Sequence, residues 1–299
     1  MATGIVSVAA RLQHLLALSD TLLVVAAAAW VALAVLVSVR TARDRRRRPR
    51  LQSFALVAAT AVLGARFLVA GDGTVARALW ILALACWLGL LARRPRIAEP
   101  RGGSLLVVVA TEGLAVLAAL LAPRWAAGLL IVAFVIWALG LLLYPLVAIA
   151  VARALRDRPG FSPDVWVLMG ALAIGTLAGT ELLVAARALH MLGALRPWLR
   201  DVDLATWVVA SAWILPLLAA ELRSQARWSY RASRWAFVFP LGMYAVASET
   251  LGRATGLAPL LELARIFFLI AIIAWAVVLL GLVRYAVAAR EPTSAQTKR

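Results

Sequence analysis

Long apolar runs separated by short basic stretches are the feature that most constrains this chain. A bilayer core about 30 Å thick requires roughly 20 apolar residues for each spanning helix, and runs of that length recur along the whole sequence. Of the 299 residues, 64% are hydrophobic and 15% are charged, whereas ordinary soluble domains carry about 25% charged residues. The composition therefore predicts an integral membrane protein.

Ten apolar segments are predicted to be transmembrane helices. Apolar residues surround each segment and show no period-two alternation, which excludes the strands of a membrane barrel and predicts an all-α fold. The segments are 2–18, 21–39, 54–70, 76–91, 104–122, 126–151, 164–187, 204–222, 235–251 and 258–289. Residues 1–290 are predicted to form one transmembrane domain, and residues 291–299 a disordered polar tail.

Arginine placement predicts how these helices are oriented. Short cytoplasmic loops keep an excess of Lys and Arg, and 22 of the 31 basic residues follow the even-numbered segments. Both termini are therefore predicted to be cytoplasmic, in a plasma or inner membrane. The same placement explains the net charge of +17 without nucleic-acid binding. The run RDRRRRPR at 43–50 is predicted to contact anionic lipid.

The sequence carries no pattern typical of an enzyme or a metal site. It contains one cysteine and two histidines, His14 and His190, without companions at metal-ligand spacing. Phosphate-binding loops, nucleophile elbows and zinc-protease motifs are absent from it. We therefore expect no cofactor. The alternative, a membrane-embedded enzyme or a non-transporting assembly subunit, would need convergent polar groups that the short basic loops do not supply.

Four stretches carry a resemblance to a known family. They are MATGIVSVAA at 1–10, GGSLLVVVAT at 102–111, PDVWVLMGALAIGTLAG at 163–179 and RWAFVFPLGMYAVAS at 234–248. Together with the ten predicted helices, they resemble the tellurite-resistance and C4-dicarboxylate transporter family, which is related to the plant guard-cell slow anion channels.

The resemblance implies an architecture and an activity. The architecture is five helical hairpins around a central pore, with odd-numbered helices lining the pore, even-numbered helices outside, and a homotrimer of independently conducting subunits. The activity is transmembrane passage of small anions or organic acids, either channel-like or as proton-coupled C4-dicarboxylate or sulfite transport, with a link to tellurite resistance.

The stretch at 234–248 supplies the predicted gate. Channel members of the family occlude the pore with a phenylalanine on the ninth helix, which implies Phe239, directly before Pro240, with Phe237 as the alternative. A proline inside a helix removes a backbone hydrogen bond, so Pro240 predicts a kink that either lines a cavity or serves packing. At 100° per residue, Phe239 and Gly242 share a stripe, and Phe237 points about 200° away.

Small and hydroxyl residues on the odd-numbered segments are predicted to line the pore or to allow helix kinks. They are Gly4, Ser7, Thr111, Gly170 and Gly242, together with Pro240. Gly175 and Gly179 form a G-x-x-x-G pattern that is also a common packing device. Glu181 lies roughly opposite this pair on a helix, so the sequence leaves open which of the two faces the pore.

Four charged residues are predicted to lie within the membrane: Glu112, Glu181, Glu249 and Arg66. Such residues are costly in a bilayer and usually face a partner or a wet cavity. Glu112 is the deepest and is interpreted as protonated, as paired with an arginine, or as a proton carrier. For the other three, pairing near the outer mouth is the simplest interpretation.

Overall fold

Ten α-helices and five short 3-10 turns make up the described part of the chain. A computed structural model describes residues 1–43, 48–95, 100–157, 162–224 and 230–288, and these ranges contain no β-strand. The helices are α1 Ala2–Leu12, α2 Leu16–Arg43, α3 Ala55–Val69, α4 Gly73–Ala92, α5 Leu106–Leu121, α6 Leu129–Asp157, α7 Val167–Ala188, α8 Arg196–Arg223, α9 Trp235–Thr255 and α10 Ala258–Ala288. The predicted all-α class is confirmed.

Eight helices of the described ranges are long and apolar enough to cross a membrane. The other two are α1, which has 11 residues, and α9, whose 21 residues include Pro240, Ser248 and Glu249. Most of α9 is nevertheless buried by neighbouring helices. A helix surrounded by protein does not need the apolar composition that lipid contact requires, so hydropathy alone does not identify it.

Several predicted boundaries were wrong, and two of them have a clear structural cause. The predicted segment 2–18 is divided, because α1 ends at Leu12 and α2 already begins at Leu16. His14 between them has a left-handed backbone with φ of 61°, and the Leu15 amide donates to the Ala10 carbonyl at 2.9 Å, which closes the turn. Helix α8 begins at Arg196 and not at 204, since Pro197 occupies its first turn, where proline suits a helix start.

The first helix is the shortest of the odd-numbered ones. Helix α1 has 11 residues, whereas α3, α5, α7 and α9 have 15, 16, 22 and 21. Each of those four is directly preceded by a 3-10 turn, namely Leu51–Phe54, Gly102–Leu105, Pro163–Trp166 and Ala232–Arg234. The four turns contact one another in that order. They form a layer at one end of the molecule.

Helix contacts follow a simple order. Each even-numbered helix packs against the odd-numbered helix that precedes it. The odd-numbered helices contact one another in the sequence α1, α3, α5, α7 and α9, and α9 returns to α1. The odd-numbered helices therefore enclose the centre, and the even-numbered helices lie outside them.

Several predicted features fall outside the described residues. They are the tail at 291–299 and the arginines Arg45, Arg46, Arg47, Arg96, Arg158, Arg227 and Arg290.

Candidate functional site

A small cavity lies among the five odd-numbered helices, and we call it the central cavity. Its volume is about 80 Å³. All five odd-numbered helices contribute to its wall, and fourteen of the sixteen wall residues are apolar or glycine. The wall consists of Ile5, Val8, Leu12, Ala61, Val62, Ala65, Val69, Gly113, Val116, Leu120, Ile174, Leu177, Glu181, Met243, Val246 and Thr250.

The central cavity is open at one end only. Along α7 its wall passes from buried Ile174 and Leu177 to the half-buried Glu181, and Val69 at the end of α3 is 40% exposed. Glu181 and Thr250 are the last wall residues of α7 and α9, so both polar side chains lie at the exposed end. The closed end therefore points toward the layer of 3-10 turns.

Phe239 lies beyond the closed end. The wall residues of α9 are Met243, Val246 and Thr250, and Phe239 precedes them by four, seven and eleven residues. Those spacings place all four on one face of the helix. Phe239 is fully buried and is not itself a wall residue. Its position continues the wall of the cavity by one helical turn, and its role as a gate stays a prediction.

Phe237 has different surroundings. Its ring packs edge-on against Trp166, with the ring centroids 4.8 Å apart. Trp166 ends the 3-10 turn that precedes α7. Phe237 therefore contributes to the contact between α9 and the layer of 3-10 turns.

Glycines allow α9 to approach its two neighbours closely. A Cβ added to Gly170 of α7 would lie 2.9 Å from Cγ of Pro240, and one added to Gly242 would lie 3.0 Å from Cγ2 of Ile5. Pro240 lies within α9, which continues as one helix through Thr255. Gly170, Pro240 and Gly242 thus lie where helices meet, outside the wall of the central cavity.

The remaining small residues also bind neighbouring helices. A Cβ on Gly4 would lie 3.1 Å from Cγ1 of Val62. Ser7 donates to the Ser19 carbonyl at 2.7 Å, which ties α1 to α2. Thr111 accepts a 3.0 Å hydrogen bond from the indole of Trp87 on α4. None of these three is in the wall of the central cavity.

Arg66 holds three helices together. This fully buried side chain on α3 donates to Ser7 of α1 at 2.9 Å and to Ser19 of α2 at 2.9 Å. It also forms an ion pair of 2.6 Å with Asp20. Among the described residues its Nη1 atom has no hydrogen-bond partner. Its contacts indicate a structural role beside the central cavity.

Glu112 faces away from the central cavity. It is fully buried, and its carboxyl lies where an added Cβ on Gly140 of α6 or Gly175 of α7 would contact it. Neither of its carboxyl oxygens has a hydrogen-bond partner among the described residues. No arginine forms an ion pair with it in these ranges, so the paired interpretation lacks support there.

Asp203 is a second buried carboxyl that sequence reasoning missed. It lies on α8 against Gly179, accepts a 3.1 Å hydrogen bond from Thr180, and is close enough to Glu112 to interact with it electrostatically. Gly175 and Gly179 thus face these two carboxyls, which leaves Glu181 on the cavity side. In the described part of the chain, no group of three or more His, Cys, Asp or Glu side chains could hold a metal ion.

Glu181 and Glu249 have separate partners. Arg124, after the end of α5, is close enough to Glu181 for an electrostatic interaction. Glu249 pairs with Arg253 at 2.6 Å and accepts a 2.9 Å hydrogen bond from Gln13, which joins α9 to the end of α1. Glu181 is therefore the one residue of the four predicted intramembrane charges that belongs to the cavity wall.

Comparison with known proteins identifies the family. The family model described as voltage-dependent anion channel, SLAC1, matches residues 1–283. The chain belongs to the SLAC1 family. This confirms the resemblance seen in the four sequence stretches, which lie entirely within the matched residues. The description of this family names an anion channel, so membership of the family supports anion transport across a membrane.

Two curated relatives are also similar to this SLAC1-family chain. They are Uncharacterized membrane protein Rv1735c of Mycobacterium tuberculosis strain H37Rv and Uncharacterized membrane protein MT1776 of strain CDC 1551. Each is 35% identical over 127 residues, which is 41% of this chain and 58% of the relative. The match thus spans little more than half the length of either relative. Their names support location in a membrane and specify no substrate.

Proposed function

We propose that this protein conducts small anions passively across the membrane through the central cavity. The observation that carries the proposal is a cavity walled by all five odd-numbered helices, in a chain whose family model matches residues 1–283. A narrow, weakly polar path selects by diameter and by the surrounding dipoles, and it needs no tight binding site.

The architecture of the proposed pore is five helical hairpins around the central cavity. The contact order of the helices supports it, because every even-numbered helix lies outside its odd-numbered partner. We place both termini and the layer of 3-10 turns on the cytoplasmic side, since the arginine-rich connections lead into these turns. A homotrimer is part of the proposal by resemblance to the family.

Phe239 is the proposed gate. It is buried, and it continues the α9 stripe of Met243, Val246 and Thr250 beyond the closed end of the cavity. A hydrophobic ring across a narrow pore excludes water and thereby blocks ions. Phe237 is the weaker alternative, because its ring packs against Trp166.

The cavity wall favours small monovalent anions over dicarboxylates. Carboxylate recognition typically uses arginine in bidentate contact, and none of the sixteen wall residues is Arg, Lys or His. Glu112, the candidate proton carrier, lies against α6 and α7 and not in the wall. Both observations favour chloride or nitrate conduction over proton-coupled organic-acid transport.

Reconstitution tests the proposal directly. Purified protein in liposomes is assayed for chloride, nitrate, sulfite and malate flux at pH 5.5 and pH 7.5. We expect chloride and nitrate flux above that of empty liposomes at both pH values, with little malate flux. Malate uptake that requires an imposed proton gradient would establish the transporter alternative, and absence of flux for all four anions would refute the proposal. Growth of expressing cells on tellurite tests the remaining link to tellurite resistance.

A further inference from the structure

A cavity lined with arginines lies at the end of the molecule that carries the 3-10 turns, on its outer side. We call it the basic cavity. It lies between α2, the start of α3 and α4, and has a volume of about 730 Å³. Its lining is Val37, Arg40, Arg48, Pro49, Arg50, Gln52, Ser53, Leu56, Val57, Cys86, Gly89, Leu90 and Arg93.

The four arginines of the basic cavity come from three separate parts of the chain. Arg40 lies in the last turns of α2, Arg48 and Arg50 precede the 3-10 turn before α3, and Arg93 follows α4. Arg40, Arg48 and Arg50 are exposed, and none of these three forms an ion pair within the described residues. Retention of positive charge on one side of a membrane requires arginines in loops, but it does not require that they converge on one concavity.

An apolar groove continues from the basic cavity. It has a volume of about 330 Å³ and shares Val37, Gln52, Ser53 and Leu56 with the basic cavity. From there it runs between α2 and α3 along apolar side chains that include Ala29, Leu33, Ala59 and Leu63. A hydrogen bond of 2.9 Å between the indole of Trp30 and Thr60 joins the two helices along the groove.

The length of the groove corresponds to one leaflet of a bilayer. Its lining on α2 extends from Val37 to Ala26, which is about 16 Å at 1.5 Å per residue. Half of a hydrocarbon core about 30 Å thick is about 15 Å. An acyl chain that starts at the basic cavity would therefore reach the bilayer midplane within this groove.

We propose that the basic cavity and the apolar groove together form a binding site for one anionic phospholipid. The phosphate lies among Arg40, Arg48, Arg50 and Arg93, because guanidinium groups match phosphate oxygens in charge and geometry. One acyl chain occupies the apolar groove. A soluble phosphate compound would use only the first half of this site, and a zwitterionic lipid would gain less from the four arginines.

The test is lipid binding to the purified full-length protein, measured by native mass spectrometry after titration with palmitoyl-oleoyl phosphatidylglycerol or phosphatidylcholine. We expect phosphatidylglycerol to bind at least tenfold more tightly. The triple variant R40Q/R48Q/R50Q should lose at least tenfold of this affinity. The control R153Q/R156Q/R223Q removes the same charge from exposed arginines outside the cavity and should change the affinity less than twofold.

A second variant tests the cavity without changing the charge. No atom lies within 4 Å of a Cβ added to Gly89, so Gly89→Leu fills space in the basic cavity without a clash. We expect at least a fivefold loss of phosphatidylglycerol affinity. Gly128→Leu is the control, because Gly128 has equally open surroundings and lies outside both cavities.

Four outcomes would overturn the proposal. They are equal affinity for the two lipids, equal losses in the two triple variants, no loss in Gly89→Leu, and complete displacement of the phospholipid by glycerol 3-phosphate, which would assign the arginines to a soluble phosphate compound. If the triple variant does not yield folded protein, Gly89→Leu and its control decide the matter.

Discussion

The odd-numbered and the even-numbered helices differ in what surrounds them. In 18-residue apolar stretches of the spans that include α3, α5 and α7, between 56% and 89% of the residues are buried inside the protein. In the windows of α2, α4, α6, α8 and α10 the share is between 11% and 28%. The outer helices therefore present most of their surface to lipid, and the inner helices contact protein on nearly every side.

Hydropathy does not rise with burial inside the protein in this molecule. The lipid-facing α10 is the most hydropathic of the eight candidate spans, whereas the largely buried α7 is among the less hydropathic. Large apolar side chains are favourable where a helix faces lipid, whereas small side chains allow helices to pack closely. Polar side chains are tolerated at interior positions where they find a partner. The three most hydropathic spans, those of α2, α6 and α10, all lie outside, but the outer α8 is no more hydropathic than the buried α7.

Phe239→Ala, on the inner helix α9, is the strongest test of the difference between inner and outer helices. Removal of the ring opens the closed end of the central cavity, so we expect anion conductance in planar bilayers to rise at least tenfold, because the dewetted barrier is lost. Phe237→Ala removes the same side chain from the opposite face of α9 and should change conductance less than twofold. Unchanged conductance in Phe239→Ala would reject the gate.

Folding of the Phe239 variant requires its own measurement. A buried Phe to Ala change typically costs about 3 to 5 kcal/mol, so the unfolding temperature of each variant in detergent is measured beside its conductance. Phe239→Leu keeps most of the packing and should give an intermediate conductance. An equal rise in Phe237→Ala would show general loosening of α9 rather than an opened gate.

The next effect concerns stability. Gly170→Ala places a methyl group 2.9 Å from Pro240 between two inner helices, and overpacking of this kind typically costs about 1 to 3 kcal/mol. Gly89→Ala on the outer helix α4 meets no atom within 4 Å and should stay within about 0.5 kcal/mol. Unfolding temperatures in detergent compare the two. Equal losses would contradict the distinction between inner and outer helices.

Much of the fold was predictable from the sequence because lipid imposes a simple rule on composition. Nine of the ten predicted segments each coincide largely with one helix, in the correct order, and the exception is the segment 2–18, which includes the turn at His14. Apolar composition does not mark that turn, because Leu15 and Leu16 on its far side are as apolar as the helix before it. The turn depends on the left-handed backbone of a single residue, and hydropathy averaged over many residues carries no signal of it.

The candidate site was harder to predict. Its wall consists largely of Ala, Val, Leu and Ile, which are the commonest residues of any membrane helix. The polar residues that attracted notice, Ser7 and Thr111, bond to neighbouring helices instead. The spacing of Gly175 and Gly179 on α7 indicated a close-packing face, but it did not show whether this face contacts the pore or the outer helices. That choice depends on Gly140 and Asp203, which lie on other helices, and no local pattern in the sequence connects them to α7.

A smaller effect is expected at the exposed end of the central cavity. Glu181 places a carboxyl group in the cavity wall, and in its ionised form this group opposes an entering anion. Glu181→Gln should raise chloride conductance about twofold in 0.1 M salt and have no effect in 1 M salt, where the Debye length falls from about 10 Å to about 3 Å. Asp201→Asn, at an exposed site outside the wall, is the control. An increase that persists in 1 M salt would point to a steric cause.

The smallest expected effect is at Glu112, which lies on an inner helix but faces the outer ones. Its carboxyl packs against Gly140 and Gly175, and none of its atoms belongs to the wall of the central cavity. Glu112→Gln preserves the size of the side chain but cannot carry or release a proton. Because the proposed anion path lies on the other side of α5, chloride conductance and its dependence on pH should both remain as in the unmodified protein. Measurements at pH 5.5 and pH 7.5 check this, with unfolding temperature as the control for packing.

If the substitution instead abolishes a pH dependence of transport, Glu112 takes part in proton movement. Position on the inner or outer side of a helix would then no longer decide which residues serve transport.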